Sequence, residues 1–121
     1  MKRRTSLLLL ISVLLGGFAA VAQDSRKESQ LRTVRGVVVD KTESAVQGGV
    51  VFLKNLRTNQ VRSYIADNEG SFRFSGLDLN VDYEIHAEHE GMTSSTRSIS
   101  NFDTRKEFVL TLKLDRKKSG K

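Results

Sequence analysis

Three groups of residues have the types and spacing that chemistry requires. Asp67, Asn68 and Glu69 stand in a row before Gly70, and their oxygens suit calcium, which takes about six to eight such ligands. His86 and His89 are the only two imidazoles and sit among Glu84, Glu88 and Glu90. Thr93, Ser94, Ser95, Thr96 and Arg97 place short hydroxyls beside a guanidinium, a set able to hydrogen-bond a glycan or an extended peptide.

Each group also has a plainer reading. The acidic run lacks the alternating ligand spacing and the distal bidentate Glu of a dedicated calcium loop. Asp and Asn bonding nearby amides, with Gly70 free to take positive φ, account for every residue type there, so a corner is expected. On a strand His86 shares a face with Glu84 and Glu88 while His89 points the other way. Zinc needs three or four converging donors, and strand alternation scatters these. G-x-S-x-G is absent and no Ser, His and Asp set declares itself, so the chain reads as non-catalytic, with neither metal nor cofactor. Residues 93–97 remain as the candidate ligand or partner surface. An ordinary solvated strand also explains them, because Thr is a good strand former, and a weak edge strand there could accept another chain by β-addition.

The elements that carry these groups follow a period of two. Val34, Gly36 and Val38 alternate with Arg35, Val37 and Val39, a first strand ending at Asp40. A polar loop closes on Gly48 and Gly49, after which Val51 and Leu53 share one face of a second strand. Residues 61–66 make a third strand. Phe72 and Phe74 lie on one face of a fourth, and the turn between suggests that the two form a hairpin. Leu77 and Leu79 can plug a corner. Tyr83, Ile85 and Ala87 mark a fifth strand, residues 93–100 a weak sixth, and Phe108, Leu110, Leu112 and Leu114 the clearest of all. Seven short strands at roughly ten-residue spacing, with no helical segment after residue 22, argue for an all-β, antiparallel Greek-key sandwich. Its core would hold Phe72, Phe74, Tyr83, Ile85, Leu110 and Leu112. Val37, Val39, Val50 and Phe52 form a second apolar set on the opposite faces, a contact patch for a partner or a second copy, or a seat for the leader or tail.

Charge and composition set the compartment. Residues 1–22 read as an export signal: Lys2, Arg3 and Arg4, then an apolar run from Leu7 to Leu15, then Ala20, Val21 and Ala22 before Gln23. A retained anchor is the alternative. The apolar run is short for a stable membrane span. The chain has no cysteine, so neither a lipid anchor at the processing site nor a disulfide is expected, and packing alone must hold about 99 mature residues together. The formal charge of +6 resides in the ends, since residues 33–114 hold ten basic against eleven acidic side chains. A nearly neutral body offers no basic groove for nucleic acid. Residues 23–32 read as a flexible leader and 115–121 as a basic, disordered tail, drawn weakly to anionic lipid or wall polymer.

Gly36-Val-Val-Val-Asp40, Gly49-Val-Val-Phe-Leu53, Asp67-Asn-Glu-Gly-Ser-Phe-Arg-Phe-Ser-Gly-Leu77, and Tyr83-Glu-Ile-His-Ala87 with Gly91 together resemble the carboxypeptidase regulatory-like family. The resemblance implies a seven-stranded sandwich of transthyretin-like shape over residues 33–114. The prolines common in that family's loops are replaced here by Ala45, Val46 and Gln47 and by Leu79, Asn80 and Val81. In the carboxypeptidases it points to, the module accompanies a catalytic domain and is not the catalyst. Transthyretin-shaped hydrolases carry a C-terminal Tyr-Arg-Gly-Ser, whereas this chain ends Lys-Lys-Ser-Gly-Lys. The expectation is an extracytoplasmic, periplasmic or secreted binding or scaffolding module whose partner is an envelope protein or a glycan. Carbohydrate or peptide binding is the narrower alternative, and a small hydrolase the remote one.

Overall fold

The computed structural model describes residues 31–119. The expected signal at 1–22, and residues 23–30 of the leader, lie outside them. The described strands are β1 (Leu31–Val39), β2 (Val50–Asn55), β3 (Val61–Ile65), β4 (Ser71–Asp78), β5 (Tyr83–His89), β6 (Met92–Thr93), β7 (Arg97–Ile99), β8 (Glu107–Lys113) and β9 (Arg116–Lys117). They form two sheets, β4-β1-β8 and β3-β2-β5-β6-β9, with β7 also paired to β5.

The sandwich follows from the alternation. Val34, Val38, Phe72, Phe74, Leu110 and Leu112 of the smaller sheet face Val51, Leu53, Tyr83, Ile85, Ala87 and Ile99 of the larger, and all twelve are buried. Consecutive side chains on a strand point to opposite faces, so each strand contributes every second residue to the dry layer. Gly36 of β1 pairs with Leu110 of β8, and an added Cβ would overlap the Leu110 carbonyl oxygen. Only glycine fits.

Several local expectations change. β1 pairs β4 antiparallel, but β8 parallel, from Thr33 opposite Glu107 to Val39 opposite Lys113. The first strand thus becomes the centre of its sheet. β3 and β4 do not form a hairpin: β3 pairs β2 and β4 pairs β1, so the intervening turn carries the chain from one sheet to the other. A tight turn signals a reversal, and the reversal here switches layers.

The ends are also more ordered than their composition suggests. β1 starts at Leu31, inside the expected leader, because Arg32 is fully buried and donates to the carbonyls of Arg105 (Nε, 2.8 Å), Ser100 (3.3 Å) and Asp103. At the other end the expected tail supplies β9, which pairs β6, and Lys118, whose Nζ reaches Glu88 Oε1 at 2.8 Å. A cation that finds a fixed carboxylate is held in place, whatever its neighbours' composition.

Candidate functional site

The acidic corner is built from its own backbone. Asp67 Oδ1 accepts from the amides of Glu69 and Ser71, both at 2.9 Å, and Asn68 Oδ1 accepts from Gln47 Nε2 at 2.7 Å. Gly70 has φ of 73°, and its carbonyl accepts from Val38 N at 2.8 Å. A Cβ there would stand 2.6 Å from the Val38 oxygen, so the turn locks against β1 only with glycine. These oxygens hold the sheet-to-sheet crossing. Among the described residues no three His, Asp or Glu side chains converge as a metal group.

Residues 93–97, expected to act as one polar surface, are divided between interior and exterior. Ser94 is buried, accepting from Ala87 N at 2.9 Å and donating to Ser95 O at 3.0 Å. Thr93 Oγ1 donates to the Ala87 and Ser94 carbonyls at 3.1 and 3.2 Å. The Ser94 side chain thereby satisfies an amide of β5 that a neighbouring strand would otherwise pair. This is why the expected sixth strand breaks into β6 and β7, since short hydroxyl side chains compete with ladder bonds. Ser95, Thr96 and Arg97 remain exposed. Arg97 pairs in register with Ile85, on the inward-facing side of the sheet at its open edge. Thr96 lines the outer face instead.

That outer face collects residues that the sequence had grouped separately. Phe52 on β2 lies opposite His86 on β5, and their rings stack with centroids 5.2 Å apart at 22°. His86 Nε2 and Glu88 Oε2 are 2.9 Å apart, and Glu88 also takes Lys118. The hydrogen bond from Lys118, followed by that from His86, holds the Glu88 carboxyl below its ordinary value of 4.5. Phe52, Lys54, Val61, Glu84, His86, Glu88 and Thr96 line a shallow cleft of about 270 Å³. Val61 and Ile65 on β3 extend its apolar side, 57% and 69% exposed. His89 stands apart, 3.7 Å from Glu90, near the β1–β2 loop. The two histidines are therefore separated, as strand alternation requires.

The second apolar set is divided in the same way. Val50 and Phe52 belong to this outer face and stay half-buried, whereas Val39 is buried and Val37 lies on the outside of the smaller sheet. Lys118 escaped notice in the sequence because its partner Glu88 lies far from it along the chain. Arg32 did so because its acceptors are backbone carbonyls, which carry no residue-type signal.

The described strands form a two-layer, open β-sandwich. Residues 33–115 match the carboxypeptidase regulatory-like domain, and the chain belongs to that family. It is similar to serine-aspartate repeat-containing protein I of Staphylococcus saprophyticus, 40% identical over 60 residues, which are 49% of this chain and 3% of that protein. Among solved structures it resembles a streptococcal ancillary pilin, with a TM-score of 0.56 and 14% identity over 74% of this chain and 33% of that one. BcpA, the major pilin subunit of Bacillus cereus, gives a TM-score of 0.54 at 14% identity, covering 72% and 30%. Catechol 1,2-dioxygenase from Acinetobacter sp. ADP1 gives 0.54 at 13%, covering 72% and 53%. The chain spans only a small part of the curated relative and about half or less of these solved chains. At such identities the structural likenesses establish the shared fold alone.

Proposed function

We propose that this chain is an extracytoplasmic, non-catalytic β-sandwich module that binds or scaffolds at the cell envelope. The observation that carries the reading is the outer face of the larger sheet, where the Phe52 and His86 stack lies open between Val61 and Thr96 and is bordered by Lys54, Glu84 and Glu88. A shallow aromatic surface with charges of both signs suits an extended segment of a polymer better than an enclosed substrate. The similarity to pilins and to a serine-aspartate repeat protein, together with the sequence of residues 1–22, supports an extracytoplasmic place. Among the described residues no helix is long and apolar enough to cross a membrane.

The side chains that would serve a hydrolase are occupied structurally. His86 is stacked and bonded to Glu88, and the Ser94 hydroxyl bonds backbone on both sides. Thr96 at the rim favours a glycan or peptide as the polymer. Retention of the purified protein on immobilised envelope glycans and peptides tests this, with Phe52→Ala and Thr96→Ala expected to weaken it and Arg97→Ala to leave it unchanged. Turnover on ester, amide or ureide panels that His86→Ala or His89→Ala abolishes would overturn the non-catalytic reading.

A further inference from the structure

Among the described residues β8 pairs with β1 alone. The end bonds of that parallel ladder fix which backbone groups it uses: Thr33 N donates to Lys106 O and Leu114 N to Val39 O, both at 2.8 Å. Bonding directions alternate along a strand, so Phe108, Leu110 and Leu112 turn their N–H and C=O towards β1. Glu107, Val109, Thr111 and Lys113 turn theirs outward. All four are exposed, Val109 to 53%. An edge of this kind is a template for another strand, and its ends carry opposite charges.

We propose that β8 pairs antiparallel with β8 of a second copy of this chain, about a two-fold axis at Leu110. In that register Glu107 lies opposite Lys113 of the second copy and Val109 opposite its Thr111, so the outward-pointing residues meet only one another. Every outward donor and acceptor is then satisfied, and both ends of the seam join a carboxylate to an ammonium. Phe108 falls opposite Leu112, and Leu110 opposite itself, on the inward face. A slip of one residue sets outward groups against groups already bonded to β1. A slip of two brings Lys113 opposite Arg105, or Glu107 opposite Asp115, so like charges meet in either direction. Glu107 already accepts from Arg35 Nε at 3.1 Å on the β1 side, so Lys113 of the second copy would add a second cation to the same exposed carboxylate. The product is one continuous sheet, β4-β1-β8 joined to β8-β1-β4. A seam between two seven-residue strands is a small interface, so the dimer is expected to be weak, with a Kd between roughly micromolar and millimolar.

This proposal is independent of the binding surface on the other sheet. Sedimentation equilibrium of the purified protein from about 1 µM to about 1 mM should show reversible dimerisation. Glu107→Lys and Lys113→Glu should each weaken it about tenfold or more, because each creates two like-charge contacts per dimer. The double variant E107K/K113E should restore it, and so should an equimolar mixture of the two single variants, in which every contact again joins opposite charges. Amide exchange at Val109 and Thr111 should slow as the dimer forms, with the circular dichroism of all variants unchanged. A monomer throughout that range, or a dimer indifferent to the single reversals, overturns the proposal. So does protection of these amides in a monomer that is lost when residues 1–30 are removed, which would place the chain's own N-terminal segment on the edge.

Discussion

Arg32→Ala should be among the most damaging single substitutions in the domain. Its guanidinium is 0% exposed and donates to three carbonyls, those of Arg105, Ser100 and Asp103, in the stretch that leads into β8. A hydrogen bond from a charged donor contributes about 1.5 to 3 kcal/mol. The bond to Ser100 is long at 3.3 Å, and carbonyls freed in a surface loop recover some water, so the three do not simply add. Truncating one member of a buried charged cluster costs about 3 to 5 kcal/mol, which is the expected loss here. Against a total stability of about 5 to 15 kcal/mol this leaves a marginal domain. At roughly 4 to 8 °C per kcal/mol for a domain of this size, Tm should fall by about 12 to 40 °C. Thermal and urea unfolding followed by circular dichroism at pH 7 measures it. Arg32→Lys should recover little, because one ammonium cannot reach three acceptors in a guanidinium's directions. Arg35→Ala is the control: its pair with Glu107 is solvent-exposed, with side chains 45% and 56% accessible, and its loss should cost about 1 kcal/mol or less. If Arg32→Ala melts within a few degrees of the parent, or no lower than Arg35→Ala, the guanidinium does not hold that loop and the argument fails.

Three further perturbations separate interior roles from surface ones. Gly36→Ala should cost at least about 3 kcal/mol or prevent folding, since the new methyl overlaps the Leu110 carbonyl and β1 and β8 must part; yield and Tm report it. Ser94→Ala should cost about 1 to 3 kcal/mol by leaving the Ala87 amide unpaired in the interior, while Ser95→Ala should be nearly silent in the same urea titration. Glu88 has its folded pKa below the ordinary 4.5, so its contribution is complete above that value and is lost as pH falls through the lower folded value. Amide protection across Arg116, Lys117 and Lys118 should therefore fade on acidification below about 4.5, and Glu88→Gln should reproduce that loss at pH 7.

The layers of the fold were legible because alternation is a local property. Phe72 with Phe74, Tyr83 with Ile85, and Leu110 with Leu112 each declare an inward face within three residues, and all six are buried. What alternation cannot express is which strands become neighbours. Nothing in residues 33–39 distinguishes a central strand bonded to β4 and, in parallel, to β8 from an edge strand in an antiparallel sheet. The turn at Asp67 shows the same division: its asparagine, aspartate and glycine chemistry marked a reversal, yet the partner that locks Gly70, the Val38 backbone, comes from a strand about thirty residues earlier. Backbone acceptors have no side-chain signature.

The candidate surface was harder to read for a related reason. A hydroxyl on a strand becomes a ligand only if the fold leaves it unpaired, and in residues 93–97 the fold uses two of the four before any partner arrives. Ser94 replaces a ladder bond to Ala87, and Thr93 ties the same residue's carbonyl. The break this makes between β6 and β7 separates Thr96, at the Phe52 and His86 cleft, from Arg97, which shares a face with Ile85. A ligand bound at the cleft would therefore meet Thr96 without Arg97. The same competition acts at the C-terminus, where Lys118 is drawn from solvent to Glu88 and closes one end of the outer face. Because Glu88 also bonds His86, which stacks on Phe52, the order of the last strand and the setting of the aromatic pair share one carboxylate. Loss of Lys118 should then loosen the His86 ring as well as the tail, an effect visible in its NMR line shape and absent if the tail merely rests on the sheet.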